Sequence, residues 1–195
     1  MLEKIINNFN EASKVLDQFI GNPDNWEAFE KAGQFMVNAI KNEHLIFSCG
    51  NGGSMCDAMH FAEELSGRFR NDRRALPAIA ISDPSHISCV ANDYGFDFVF
   101  SRFLEATARH DDVLLAISTS GNSKNIINAA KTAKTKGMKI VALTGKNGGE
   151  LASLCDVELR IPYTEFADRV QEMHIKIIHS LIHYVELSLN LVVSC

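Results

Sequence analysis

His60 and Glu64 stand four positions apart, the spacing that places two side chains on one face of a helix. Such a pair is most often an ordinary surface pair. Here it follows a glycine-rich loop, and that position favours a function in proton transfer. We therefore predict Glu64 as a base on a helix over residues 54–70. Glu63, turned about 100° away on the same helix, is expected to face solvent or to serve structure.

The glycine-rich loop reads Gly50-Asn51-Gly52-Gly53-Ser54 and lies between an apolar run and the predicted helix. Glycines allow the backbone to approach an anion, and the free N–H groups at a helix start favour negative charge. A tight strand-to-helix turn also requires glycine, so the loop alone is a weak signal. Its glycine spacing differs from the G-x-G-x-x-G pattern of dinucleotide-binding proteins, which disfavours that class of ligand.

A second polar loop, Ser118-Thr119-Ser120-Gly121-Asn122-Ser123, follows the apolar run 113–117. Ser123 is a natural N-cap for the next helix, which explains one of the four hydroxyl groups and leaves the other three unexplained. Hydroxyl groups together with helix-start amides form a phosphate site that needs little positive charge. Such a site suits a chain whose formal net charge is −5.

A third loop, residues 144–149, superficially resembles a nucleotide-binding loop. The G-x-x-x-x-G-K-S/T pattern is absent from it. We interpret it as an ordinary turn with Lys146 in solvent, and ATP binding is disfavoured.

The last long helix, predicted after Tyr163, carries several polar side chains. At about 100° per residue, Asp168 and His179 nearly coincide in angle, and Gln171 lies within about 80° of His179. His174 points elsewhere, and we expect it to pack or to cap.

Composition excludes several classes of protein. The 195 residues carry no long basic run, so attraction to nucleic acid or to anionic lipid is not expected. The five cysteines, which include Cys195, form no C-x-x-C pair and indicate reduced thiols rather than a disulfide framework.

The N-terminus does not resemble a signal peptide. The apolar stretch 175–193 contains charged and histidine side chains, which indicates a buried or interfacial helix rather than a membrane span. Arginines 68, 70, 73 and 74 are expected to form a solvated or inter-subunit surface.

The spacing of apolar residues predicts the fold. Helical periodicity covers about residues 2–19 and 24–40, and short apolar runs follow at 44–49, 78–81, 112–117, 139–144 and 157–161. Strands that alternate with helices predict an α/β fold with a doubly wound, five-stranded parallel sheet. We expect the flavodoxin-like order 2-1-3-4-5, two helices in front of the sheet and a long one behind it, with the ligand beyond the carboxyl ends of the strands. One domain is expected over 1–195, with a helical pair over 1–42 and the α/β core and C-terminal helix over 43–195.

The motifs together resemble the SIS (sugar isomerase) domain family, and within it the phosphoheptose isomerase branch. Four segments carry this resemblance: Cys49-Gly50-Asn51-Gly52-Gly53-Ser54, His60-Phe61-Ala62-Glu63-Glu64-Leu65, Ala91-Asn92-Asp93 and Arg169-Val170-Gln171-Glu172-Met173-His174, beside the serine-rich loop. The resemblance implies an aldose–ketose isomerase that converts D-sedoheptulose 7-phosphate to D-glycero-D-manno-heptose 7-phosphate. The product would supply heptose for the lipopolysaccharide core.

The resemblance also implies roles for individual residues. Glu64 and His179 would be the catalytic acid/base groups. A single zinc ion per subunit would be held by His60, Glu64, Gln171 and His179. The substrate would be contacted by Asn51, Gly52, Gly53, Glu64, Asn92, Asp93, Ser118, Thr119, Ser120, Ser123 and Gln171; we add Asp168 to this set.

Other functions remain open from the residues alone. The same domain occurs in proteins that bind the replication initiator DnaA, although those lack counterparts of Glu64 and His179. A sugar-sensing transcription regulator would need a helix-turn-helix domain, for which the chain has no room. An isomerase of a five-carbon or amino sugar phosphate is the nearest rival.

The two N-terminal helices and the apolar C-terminal helix exceed what one sheet needs as cover, which suggests a helical oligomer interface. The family resemblance implies a homotetramer with active sites between subunits. We expect a cytoplasmic protein with a small sugar phosphate as substrate and neither nucleic acid nor membrane as partner.

Overall fold

Five parallel strands form the centre of the structure, a computed structural model that describes residues 1–191. The strands are β1 (Ile46–Cys49), β2 (Ala78–Ala80), β3 (Val113–Ser118), β4 (Lys139–Thr144) and β5 (Val157–Arg160). Their order is β2-β1-β3-β4-β5, so the predicted flavodoxin-like sheet is confirmed. Every residue of β1 and β3 is buried, as expected of strands covered on both faces.

Within the described residues, seven α-helices surround the sheet. They are α1 (Leu2–Ile20), α2 (Pro23–Lys41), α3 (Gly53–Ser66), α4 (Pro84–Asp93), α5 (Val99–Thr107), α6 (Lys124–Thr135) and α7 (Ala167–Ser188). The start of α2 follows from local sequence, because Asn22 accepts a hydrogen bond from the Asp24 amide and Pro23 occupies the first turn. Helix α3 ends at Ser66, one turn earlier than the predicted Arg70.

The helices divide between the two faces of the sheet differently from the prediction. Alternate residues of β3 point to opposite faces: Leu115 packs in a core with α2, α3 and α7, and Leu114 packs in a second core with α4, α5 and α6. The long α7 is therefore one of four helices behind the sheet, together with α1, α2 and α3. Helix α2 belongs to this layer because its buried side, which includes Met36 and Val37, packs in the same core as α7.

Helices α3 and α6 begin on opposite faces of the sheet. They follow the neighbouring strands β1 and β3, which pair with Cys49 opposite Ala116. The two connections diverge at this point and open a crevice beyond the carboxyl ends of the strands, the usual ligand position in open α/β sheets. The glycine-rich and serine-rich loops both lie there.

Helix α1 presents an uncovered apolar side. Leu2 and Phe9 are 72% and 74% exposed, and among its residues only Val15 and Phe19 are buried. Within residues 1–191, no helix combines the length and the apolar character that a membrane crossing requires. Cysteines 49, 56, 89 and 155 are free thiols, while the predictions for Cys195 and for the end of the stretch 175–193 fall outside the described residues.

Candidate active site

Two helices bring one imidazole each to the same point. His60 of α3 and His179 of α7 face each other with their Nε2 atoms 2.9 Å apart. The Glu64 carboxylate lies 3.4 Å from His60 Nε2, on the helical face that the spacing predicted. One ligand atom from each of the three residues lies within 4.8 Å of the others. The cluster is half-buried, so it is shielded from bulk water and still open to a small molecule.

Glu63 contacts the other side of the His60 ring. Its carboxylate lies 2.9 Å from His60 Nδ1, while 62% of its side chain is exposed. The expected exposure of Glu63 is therefore confirmed, and its contact with His60 was missed. A proton held on Nδ1 by this carboxylate leaves the lone pair of Nε2 directed toward His179 and Glu64.

Burial shifts the pKa values of Glu64 and His179 in opposite directions. It raises the pKa of the Glu64 carboxyl, as does the negative charge of Glu63, while His60 and Arg73 oppose the rise. Burial lowers the pKa of His179, and the positive charges of His60, Lys176 and Arg70 add to that effect. Both shifts favour the neutral forms of the two side chains.

Gln171 reaches the same crevice from α7. Its amide lies against the Gly53 Cα, because a methyl group at Gly53 would meet Gln171 Oε1 at 2.7 Å and Nε2 at 2.9 Å. Gly53 thus provides the room that Gln171 occupies beside the start of α3. The structure brings together Gln171 and the glycine-rich loop, as the family resemblance implied.

The glycine-rich loop is tied to α6 by a reciprocal amide pair. Asn51 Nδ2 donates to Asn125 Oδ1 at 2.9 Å, and Asn125 Nδ2 donates back to Asn51 Oδ1 at 2.8 Å. Asn125 is buried and was not singled out by sequence. Its position two residues after a natural N-cap was the only available signal.

Two hydroxyl groups of the serine-rich loop, those of Ser118 and Ser120, hydrogen-bond to other groups of the same loop. Ser118 Oγ accepts from the Gly121 amide at 3.2 Å and donates to Ser123 Oγ at 3.3 Å, and Ser120 Oγ accepts from the Asn122 amide at 3.2 Å. Ser123 occupies the N-cap position of α6 as predicted, but its side chain makes no capping hydrogen bond. The first amides of α6 are therefore not capped by the hydroxyl at that position.

The loop after β4 supports the serine-rich loop from behind. Gly121 has φ +66°, and a methyl group there would lie 1.9 Å from the Gly148 carbonyl oxygen. Glycine is required at this position by both its conformation and the close approach. Lys146 is exposed, as expected of an ordinary turn.

Three predicted substrate contacts make no hydrogen bond to this cluster among the described residues. Asn92 and Asp93 stand at the end of α4, and among residues 1–191 their side-chain hydrogen bonds stay within that helix. Asp168 is exposed beside α1, where it lines a cavity with Asn8 and Phe9. Its angle on α7 matches that of His179, but eleven residues separate the two by about 16 Å along the axis.

Two further predictions about polar residues have clear outcomes. His174 is fully buried with Nε2 3.0 Å from the Thr144 carbonyl oxygen, and burial lowers its pKa to about 4, so its packing role is confirmed. The expectation of an arginine surface is wrong for Arg73, whose side chain is only 2% exposed and pairs with Glu186. The chain folds back after α3, which takes Arg73 away from solvent.

The chain is similar to known proteins in both sequence and structure. Residues 8–145 match the SIS domain family. A phosphoheptose isomerase from Cytophaga hutchinsonii is 59% identical over 185 residues, or 95% of this chain and 97% of that protein. Two solved structures are similar over 95% of this chain and 98% of theirs: phosphoheptose isomerases from Francisella tularensis, with TM-score 0.90 and 36% identity, and from Neisseria gonorrhoeae, with TM-score 0.89 and 37% identity.

Asp57, one turn before His60 on α3, is a site residue that sequence reasoning missed. Its Oδ2 atom is buried without a hydrogen-bond partner among the described residues. Burial raises the pKa of this carboxyl to about 6, and the charge of His60 opposes the rise. The folded protein therefore disfavours the ionised form, which the unfolded chain adopts from about pH 4.

We expect Asp57→Asn to stabilise the protein at pH 7.5 and to lose that advantage at pH 4.5. The contribution of Asp57 to the free energy of unfolding falls as the pH rises from about 4 to about 6, because burial disfavours the ionised carboxylate. The amide of Asn does not ionise, so the variant does not lose this stability. Melting temperatures of chelator-treated protein at the two pH values measure the effect. Exposed Asp17→Asn is the control, and an equal gain from Asp57→Asn at both pH values would contradict the prediction.

Proposed function

This chain belongs to the SIS domain family, and on that basis we propose that it is an isomerase of D-sedoheptulose 7-phosphate, which it converts to D-glycero-D-manno-heptose 7-phosphate. The observation that carries the proposal is the convergence of His60, Glu64 and His179 at the crevice where the two polar loops meet. Relatives named phosphoheptose isomerase, aligned over nearly their whole length, support the same substrate. The initiator-binding alternative is not favoured.

The reaction moves a proton between adjacent carbons of the sugar. A base removes a proton from C1 of the ketose, the electrons form a C1–C2 enediol, and return of a proton to C2 leaves the aldehyde at C1. Glu64 suits the base, because its raised pKa lets it hold the transferred proton until it is returned. His179, with its lowered pKa, suits the exchange of the hydroxyl proton between O1 and O2.

The phosphate would lie between the starts of α3 and α6. Ser123 makes no side-chain capping bond, although the Ile126 amide of α6 donates to Asn125 Oδ1. In α3 the Ser54 and Met55 amides donate to the Asn51 and Gly52 carbonyls, whereas the Lys124 and Asn125 amides of α6 have no such acceptor among the described residues. Helix-start amides and the hydroxyls of Ser118, Thr119, Ser120 and Ser123 would bind the anion without a lysine or arginine. Asn51, Gly52 and Gly53 would contact the sugar from the other side.

A zinc ion fits the donor set at the cluster. Two imidazole Nε2 atoms and a carboxylate approach one point, and Glu63 holds His60 Nδ1 as carboxylates do at many zinc sites. His60, Glu64 and His179 would hold the ion, with Gln171 as the fourth residue. When bound, zinc would act as a Lewis acid on the substrate oxygens.

We further propose a homotetramer with active sites between subunits. The exposed apolar side of α1, with Leu2, Ile5, Ile6 and Phe9, provides a surface for a second copy. Asn92 and Asp93, which are exposed at the end of α4, would then contact substrate in a neighbouring subunit. Sedimentation of the purified protein measures the oligomeric state.

The remaining assignments rest on this activity. Residues 1–195 would form one SIS domain, since α1, α2 and α7 share a core with the sheet. A cytoplasmic location suits an enzyme whose substrate is a sugar phosphate. The heptose product would enter lipopolysaccharide core synthesis.

Glu64→Gln should lower turnover of sedoheptulose 7-phosphate by about 10²–10⁴-fold, the usual range for a general acid–base group. The amide keeps the size of the side chain and removes its ability to accept the proton. NMR detection of the aldose product measures the rate, and Glu105→Gln on α5, where the side chain is exposed, is the matched control. Near wild-type turnover would exclude Glu64 as the base.

Ser120→Ala should weaken the binding of phosphorylated sugars and leave the weak binding of sedoheptulose itself unchanged. The substitution removes one hydroxyl donor from the proposed phosphate site and little else, because Ser120 Oγ otherwise accepts only the Asn122 amide among the described contacts. Calorimetric titration with both sugars measures the difference. An equal loss for the two ligands would place the phosphate elsewhere.

A His60→Ala, His179→Ala double variant should lose the zinc that we expect at about one ion per subunit. Zinc binding should also weaken as the pH falls, because imidazole must be neutral to coordinate. Elemental analysis of protein purified without chelator measures the content. The control removes His44 and His110, which precede β1 and β3 at the opposite end of the sheet. Unchanged zinc in the first variant would exclude this site.

A further inference from the structure

A buried ion pair joins the two helices that carry the acid/base groups. Arg73 Nε donates to Glu186 Oε1 at 2.9 Å, and the two side chains are 2% and 3% exposed. Arg73 lies in the segment after α3, and Glu186 lies near the end of α7. Burial of two charges is costly for stability unless their other hydrogen-bonding groups are also satisfied, so the remaining contacts of Arg73 are informative.

Those contacts are with backbone carbonyls, one at Arg74 and three around the end of α3. The Arg73 guanidinium donates from NH2 to the Glu64 carbonyl at 2.6 Å and from NH1 to the Leu65 and Gly67 carbonyls at 2.9 and 2.8 Å. The last carbonyls of a helix have no partner within the helix. Arg73 supplies partners for them from another part of the chain, and one of them belongs to the residue assigned as base.

Glu186 stands in register with His179 on α7. Seven residues separate them, which is close to two helical turns and places both on one side of the helix. The pair therefore contacts α7 on the same side as the cluster. The guanidinium connects that side directly to the peptide of Glu64.

We propose that the Arg73–Glu186 pair is a positioning element of the active site, which holds the Glu64 end of α3 in register with the His179 side of α7. This inference rests on the proposed isomerase function. Neither residue would touch the substrate. Both would act through the backbone of Glu64.

Packing alone leaves this register weakly specified. Apart from the His60–His179 contact and Gln171 beside Gly53, α3 and α7 meet through apolar side chains such as Phe61, Leu65 and Ile178. The attraction between apolar side chains does not depend strongly on direction. A displacement of about 1 Å at a reacting group can lower a rate by about 100-fold. Directional hydrogen bonds from a planar guanidinium resist such a shift.

The test separates positioning from stability with two variants. Arg73→Met with Glu186→Leu replaces the pair by apolar side chains and leaves no buried charge unpaired. The melting temperature should fall because the α3 carbonyls lose their donor, kcat should fall about 10–100-fold, and KM should change less than about threefold. Glu186→Gln leaves the Arg73 charge unpaired and should lower the melting temperature. It retains an acceptor for Arg73 and the carbonyl bonds, so kcat should stay within about threefold of wild type.

Leu104→Ala is the matched control, since it destabilises the core on the opposite face of the sheet and should leave kcat unchanged. Arg73→Lys, which keeps the charge and loses the guanidinium, replaces the double variant if that protein does not fold, and its kcat should also fall. Wild-type kcat in the double variant or in Arg73→Lys would overturn the inference alone. An inactive wild-type protein would overturn the proposed function and the inference with it.

Discussion

The register between α3 and α7 is the constraint on which the site depends. His60 and His179 come from helices far apart in sequence, and their Nε2 atoms meet at 2.9 Å only when both helices lie correctly on one face of the sheet. The fold meets this condition by continuing β1 directly into the loop before α3. Cover from α2 and α7 on the same face then places the second histidine.

The electrostatics of the cluster follow from its burial rather than from the charge of the whole protein. A chain with net charge −5 repels an anionic substrate at long range, so binding must come from local donors. The crevice offers such donors at the starts of α3 and α6. Close by, burial pushes the pKa of Glu64 upward and that of His179 downward, and both shifts favour the neutral forms of the two side chains.

One chain holds part of the implied site and leaves other parts at its surface. Asn92, Asp93 and Asp168 are exposed, and α1 has an apolar side that nothing in residues 1–191 covers. These features have a common explanation if copies of the chain associate. The residues proposed to transfer the proton, Glu64 and His179, would then belong to one subunit. Part of the substrate contact would come from its neighbour.

Local patterns in the sequence determined the strands, most helix positions, the strand order and the shared face of His60 and Glu64, because these depend on periodicities of two and 3.6 residues. Family resemblance added His179 and Gln171, which spacing could not connect to α3. Only the tertiary structure decided the rest: Glu63 beside His60 Nδ1, the Asn51–Asn125 amide pair, the burial of Arg73 and the distance of Asp168 from the cluster. Each of these depends on how far apart two elements lie and which way the chain returns, and helical angle or composition carries no information about either.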